Sequence, residues 1–227
     1  MRRFILDVIR ELYLNYIAPY IAPRDNTRLR VPRRHKWKRN FRRRFNETSH
    51  IDTVLKTVLS CLEKGTFILD TNAYLGEVGL YMGYLLQKSY PEKRIAVIMI
   101  ESDPSKAEFI KRMIKLNRLS NCMVITCGIS DREITDCRFV TPSSPIYTID
   151  KLFSNVHISL MHIDVDGTEY KLLKEAETTL KRVEYILLNM QNNSCNREHE
   201  RWILERNGFV ATKRQGTTST KELYVRR

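Results

Sequence analysis

Glycine is scarce in this chain, with eight among 227 residues. Only Gly76 falls in the stretch DTNAYLG at residues 70–76, so a turn that opens like a cofactor-binding loop lacks the G-x-G-x-x-G spacing that admits a pyrophosphate. That shortage argues against a dinucleotide. Cys61, Cys122, Cys127, Cys137 and Cys195 form no C-x-x-C pair and are scattered over expected strands and helices. They read as reduced thiols of an intracellular, cytoplasmic protein, not as a disulfide framework or a zinc site. His157 and His162 lie five apart in an expected strand and face opposite sides, so no metal pair is expected. Long apolar runs are missing too: no stretch has the roughly 18 uninterrupted apolar residues of a membrane span.

What is present suits a globular protein, with 42% apolar residues, 11 Tyr, 8 Phe and 2 Trp. The length allows one core of about 150 to 200 residues and an appendage. The formal charge of +13 is uneven. Residues 1–45 carry 14 Lys/Arg against Asp7, Glu11 and Asp25, while the rest of the chain has 25 basic and 23 acidic side chains. We therefore divide the chain into an amphipathic helix and basic arm at 1–48 and a folded domain at 49–227.

In RRFILDVIRELYLNYI apolar residues recur at 5, 9, 12 and 16, the pattern of an amphipathic helix that packs on the domain or lies on a membrane surface or partner. Asp7, Arg10 and Glu11 argue against a secretory leader, and the acids against a mitochondrial one. Between residues 24 and 45 come 11 Lys/Arg, interleaved with Trp37, Phe41 and Phe45. Such a segment suits phosphate contacts and base stacking in single-stranded nucleic acid. The alternative is a solvated arm attracted to any polyanion, an anionic membrane included.

From residue 51 the pattern is regular. Helices are expected over 51–63, 77–89, 104–117, 168–182 and 196–207, and buried strands over 66–70, 94–101, 122–127, 157–164 and 184–190. FVATK and ELYVR finish as an antiparallel pair. Strands alternating with helices predict an α/β fold: a Rossmann-like, doubly wound, mostly parallel seven-stranded sheet with a C-terminal antiparallel pair, plus the N-terminal basic helical appendage.

Ligands of such sheets bind beyond the carboxyl ends of the strands. Those ends carry Asp70, Glu101, Gly128 to Asp131 and Asp164 to Glu169. A first turn leading through Gly76 into a helix can bring N–H groups to an anion, and an acid ending the second strand can accept both hydroxyls of an adenosine ribose. With no pyrophosphate to hold, S-adenosylmethionine fits, its ammonium meeting an acid such as Asp70.

The segments FILDTNAYLGEVGLY, IMIESDPSKAEFIKRMIKLNRLSNCMVITCGISD, IYTIDKLF and LMHIDVDGTEYKLLKEAETTLKRVEYILLNM resemble, in order and spacing, those of FkbM-type class I S-adenosylmethionine-dependent methyltransferases. The resemblance covers about residues 50–212 and is most specific at IDVDGTEYKLLKEAE. It implies that Asp70 and Gly76 line the methionine moiety together with Asn72 and Ala73, that Glu101 binds the ribose, that Ile129, Ser130 and Asp131 border the adenine, and that Asp164 sits beside the transferred methyl. The family's D-x-G-A-N-x-G pattern is met at Asp70, Ala73 and Gly76 but not at Asn72 or Tyr74. Asn72 can keep a left-handed turn in place of glycine, whereas the Tyr74 ring must point away from the cofactor or fill part of its pocket.

Methyl transfer needs alignment and, for a hydroxyl acceptor, a base. Asp164 is the nearest candidate with His162 behind it, and Glu169 is open to catalysis or to the first turn of a helix that Asp166 or Thr168 would cap. The expected activity is O-methyl transfer to an acceptor that the sequence does not name. The alternative is a catalytically degenerate methyltransferase fold that binds nucleic acid or an anionic membrane through the arm.

Overall fold

The computed structural model describes residues 29, 31, 36–47, 52–131, 144–165, 167–189, 194–212 and 221–227. The amphipathic helix expected over 1–16, most of the basic arm, Asp166, Cys137 and the side chain of Cys195 lie outside them.

The strands are β1 (Phe67–Thr71), β2 (Ala96–Glu101), β3 (Cys122–Thr126), β4 (Gly128–Ile129), β5 (Ile146–Tyr147), β6 (Ile158–Ile163), β7 (Val183–Asn189), β8 (Phe209–Ala211) and β9 (Lys221–Arg226). The helices are α1 (Lys38–Glu47), α2 (Asp52–Cys61), α3 (Glu77–Ser89), α4 (Pro104–Asn117), α5 (Ile149–Phe153), α6 (Glu169–Lys174), α7 (Glu177–Leu180) and α8 (Ser194–Arg206). Seven strands form one sheet in the order β3-β2-β1-β6-β7-β9-β8. The first five run parallel and β9 is antiparallel to both neighbours, as the sequence pattern predicts.

β2 and β6 are buried at every position, which is why their sequences are mostly apolar, broken only by Glu101 at the end of β2 and by Ser159 and His162 in β6. The period of two along each strand divides the interior between two cores. Ile68, Val97, Met99 and Leu160 face α3 and α4, while Leu69, Ile98, Ile100 and Met161 face α5, α6 and α8. Asp70, Glu101 and His162 share the parity of the first set, so the sheet sends all three acids and bases of its central strand ends towards the α3 side. The strand order reverses between β1 and β6, and the crevice of an open α/β sheet lies at such a switch.

Two local outcomes differ from the sequence pattern. The helix expected over 168–182 is broken into α6 and α7 around Glu175 and Ala176. Asp150, from α5, accepts hydrogen bonds from the N–H groups of Thr178 (2.9 Å) and Thr179 (2.7 Å), and so caps a new helix start that local periodicity does not signal. Gly128–Ile129 and Ile146–Tyr147 also form a small parallel pair outside the main sheet, each too short to leave a periodic signature.

α1 packs on α3 and α4. Phe41 is 1% exposed and belongs to the same core as Leu80 and Phe109. Its ring lies 5.8 Å from Phe109 and 5.6 Å from Phe45, which meets Tyr81 edge-on at 5.4 Å. No helix of the described residues is long and apolar enough to cross a membrane.

Candidate functional site

The loop from β1 to α3 takes a left-handed conformation at Asn72 (φ 54°), Tyr74 (φ 55°) and Gly76 (φ 77°). Asparagine tolerates this region well and glycine freely, but a bulky residue pays about 1–2 kcal/mol for it. Gly76 is also packed tightly, since a Cβ there would lie 3.0 Å from Leu80 and 3.1 Å from Ile110. Two bonds moor the loop to its neighbours: Ala73 N–H donates to Ile100 O (2.7 Å) at the end of β2, and Asn72 Nδ2 donates to Asp164 O (2.9 Å) beyond β6. Asn72 thus supplies both the turn and a tether to the next strand end.

The Tyr74 ring points to neither alternative in isolation. It is held between two cations, with the Arg44 guanidinium carbon 4.6 Å and Lys106 Nζ 4.5 Å from its centroid. Such contacts are worth about 0.5–2 kcal/mol each and offset the backbone strain. Its backbone N–H lies near the Glu101 carboxylate and favours the charged form.

Glu101 ends β2 and is 2% exposed. Oε1 accepts from Asp103 N–H (2.8 Å) and lies 4.0 Å from Lys106 Nζ. Oε2 is buried with no hydrogen-bond partner. Burial pushes the Glu101 carboxyl up, and the Asp103 N–H, Lys106 and the Tyr74 N–H only partly oppose it. A buried acceptor without a donor is costly, and such an atom calls for a ligand hydroxyl or cation.

Asp70 lies beneath the loop. It faces His162 across the parallel register, and His162 Nδ1 donates to its Oδ1 (2.6 Å) with both side chains buried. Oδ2 is directed at α3, where a Cβ on Gly79 would come within 2.7 Å of it. Asp164 is half-buried beyond β6, where its Oδ1 accepts from Asn189 Nδ2 (2.8 Å). Glu169 is buried and turned back on its own loop, Oε1 accepting from Val165 N–H (3.2 Å) and Gly167 N–H (3.1 Å). The expected Thr168 cap does not form, because Thr168 Oγ1 donates to Val165 O (2.9 Å) instead. On the far side Ile129, Ser130 and Asp131 follow β3, with Ser130 N–H donating to Tyr147 O (3.1 Å) and Ser130 Oγ to Asp131 (2.9 Å).

Three further residues stand at this site without having been expected. Glu77, the first residue of α3, is buried and bridges the Leu75 N–H (3.2 Å) and the Arg44 guanidinium. Burial pushes its carboxyl up against the pull of Arg44. Lys106 follows the Asp103 cap of α4, and Asn189 ends β7. A sequence signal exists only for Lys106 and Asn189, which sit beside strand ends.

No protein-family profile matches the sequence, and no curated protein matches it either. Solved structures do. The methyltransferase FkbM of Methylobacillus flagellatus superposes with a TM-score of 0.53 at 21% identity, covering 72% of this chain and 43% of that one. The chain therefore spans less than half the length of that relative. An rRNA methylase of Streptococcus thermophilus has a TM-score of 0.49 at 13% identity, covering 77% of this chain and 93% of that one. Fibrillarin of Aeropyrum pernix, bound to S-adenosyl-L-methionine, has a TM-score of 0.47 at 13% identity, covering 72% and 67%. The fold is that of the Rossmann-like class I methyltransferases.

Proposed function

We propose that the protein is an S-adenosylmethionine-dependent methyltransferase of FkbM type that methylates a hydroxyl oxygen. The observation that carries the reading is Glu101: an acid at the end of the second strand, buried, with Oε2 lacking a donor. It stands beside a left-handed first-strand loop at the point where strand order reverses. A ribose bringing two hydroxyls supplies the missing donors, so the residues fit the cofactor. When bound, that cofactor supplies a methyl group on a sulfonium.

In this reading Glu101 orients the ribose, Asn72, Ala73 and Gly76 shape the wall beside the amino-acid end, and Ile129, Ser130 and Asp131 border the adenine. Asp70 contributes negative charge from beneath the loop and is fixed in orientation by His162. Asp164, steadied by Asn189, receives the proton of the acceptor hydroxyl. His162 and Glu169 act as positioning groups, since Nδ1 of one and Oε1 of the other already hold the protein's own atoms.

Thermal melting with the cofactor tests the reading. At about a hundred times its dissociation constant a ligand adds roughly 2.7 kcal/mol, and Glu101→Gln should lose most of that gain. Absence of any shift at about millimolar cofactor rejects it. Methyl transfer from labelled cofactor to sugar, lipid, RNA and protein acceptors tests the oxygen-directed part.

A second reading, a degenerate fold that only binds, has one observation in its favour: the N–H group of Leu75 is already taken by the carboxylate of Glu77. In either case α1 offers the exposed cations Arg39 and Arg42 to a polyanion. An intracellular, cytoplasmic setting accords with the free thiols of Cys61, Cys122 and Cys127.

A further inference from the structure

The basic arm and the first-strand loop meet at Arg44. α1 is fixed by its aromatic face, Phe41 against Phe109 and Phe45 against Tyr81, and this docking brings Arg44 over the loop. The Arg44 Nε–H donates to Glu77 Oε1, and the guanidinium lies 4.6 Å from the Tyr74 centroid. Burial works against the Arg44 charge, but Glu77 outweighs it, and Asp164 contributes from the other strand end. Arg44 thus stands over the loop side of the candidate site, within electrostatic reach of Asp164.

A helix start normally receives a ligand's carboxylate on its backbone N–H groups. Here the Leu75 N–H is taken by Glu77, and Glu101 sets a second carboxylate near the Tyr74 N–H. An incoming carboxylate needs other donors. Lys106 lies near Glu101, 4.0 Å from Oε1. Arg44 spends only Nε–H on Glu77, its side chain is 41% exposed, and its two terminal nitrogens make no hydrogen bond to the described residues. A guanidinium presents those terminal N–H groups as a planar fork matched to a carboxylate.

We propose that Arg44 binds the carboxylate of the cofactor's amino-acid end, so that helix α1 of the basic arm completes the cofactor site. The inference rests on the methyltransferase reading. It gives the arm a role beyond attraction of a polyanion, and it explains how the loop manages without the Leu75 N–H as a donor: Glu77 fills it and at the same time orients the guanidinium. Tyr74 forms the platform on which that guanidinium lies, which accounts for a tyrosine where the resembling family has asparagine.

The test is calorimetric, on the full chain, with S-adenosylmethionine and its decarboxylated analogue, which keeps the sulfonium and the ammonium and lacks only the carboxylate. The parent should prefer the carboxylated ligand by about tenfold to a hundredfold, the range of a charge-assisted hydrogen-bonded pair. Arg44→Ala and Arg44→Gln should lose that preference while binding the decarboxylated ligand within about twofold of the parent, a factor well under 1 kcal/mol. Arg44→Lys should recover part of it. Unliganded melting and the retained affinity for the decarboxylated ligand report that the variants are folded. Variants that keep the parental preference, or that weaken both ligands equally, overturn the proposal and leave Arg44 as a clamp on Glu77. A parent that binds neither ligand overturns the methyltransferase reading itself.

Discussion

His162 and Asp70 occupy partnered positions on adjacent parallel strands, and their side chains meet at 2.6 Å inside the protein. The pair orients an acid at the floor of the candidate site and leaves it nowhere else to turn, since its second oxygen abuts Gly79. Removing one member strands the other in a medium where it cannot be solvated, at a cost of about 3–5 kcal/mol. His162→Leu should therefore be strongly destabilised in urea unfolding. The double change Asp70→Val with His162→Leu should be more stable than that single variant, because no unpartnered polar group remains. Additive losses across the cycle would mean that the contact carries no coupling.

The strand ends were readable because these two central strands are buried and meet their first charged residue at the end or one position before it: Asp70 after FIL, Glu101 after AVIMI. Side-chain direction at those ends follows from the period of two and needed no structure. Helix α1 was harder. Trp37, Phe41 and Phe45 are spaced by four, the repeat of one helix face, yet in a run of arginines they read equally as stacking residues for bases. Packing of Phe41 into the α3 side of the sheet decides between the two. Arg44 and Glu77 could not be paired from sequence, because their contact depends on how α1 docks and not on any local pattern. The break at Ala176 has a similar origin, a cap donated by Asp150 from another element.

Tyr74 combines an unfavourable backbone with a favourable ring position, and substitutions can separate the two. At an ordinary site alanine is more stabilising than glycine by about 0.4–1 kcal/mol. With φ at 55° the order should reverse. Tyr74→Gly should be more stable than Tyr74→Ala by about 1 kcal/mol, because only the glycine escapes the left-handed penalty. Both lose the Arg44 and Lys106 contacts, so the difference isolates the backbone. Chemical denaturation of the two variants measures it, and the ordinary order would show that the loop relaxes.

With Phe41 and Phe45 packed inward, α1 has arginines to offer a nucleic acid and no ring on that face for a base. Its binding to a polyanion should therefore be electrostatic. Affinity for single-stranded RNA should fall linearly on a log–log plot between about 50 and 200 mM salt, and each of Arg39→Ala and Arg42→Ala should reduce the slope by roughly 0.7. Homopolymers of different base should bind alike. A strong preference for one base in fluorescence anisotropy, retained in high salt, would point to a stacking site elsewhere in the chain.

Glu200 gives the domain a dependence on pH that reaches the candidate site. It lies on α8, 3% exposed, where burial first and then the charge of Glu169 push its pKa to about 7, with Arg197 opposing and Glu222 adding. The unfolded chain has an ordinary value of 4.5, so the folded state holds the proton more tightly. The stabilisation is complete below the unfolded value and is lost as pH rises through the folded one. Between about pH 5 and pH 8 the parent should lose several degrees of melting temperature relative to Glu200→Gln, which keeps the shape and cannot ionise; each 1 kcal/mol is about 2–4 °C for a chain of this size. At the higher pH the variant should be the more stable protein. Glu169 holds the N–H groups of Val165 and Gly167, next to Asp164, so ionised Glu200 pushes on the carboxylate that shapes that loop. Melting curves of parent and variant that stay parallel across this range would mean that Glu200 is ionised throughout.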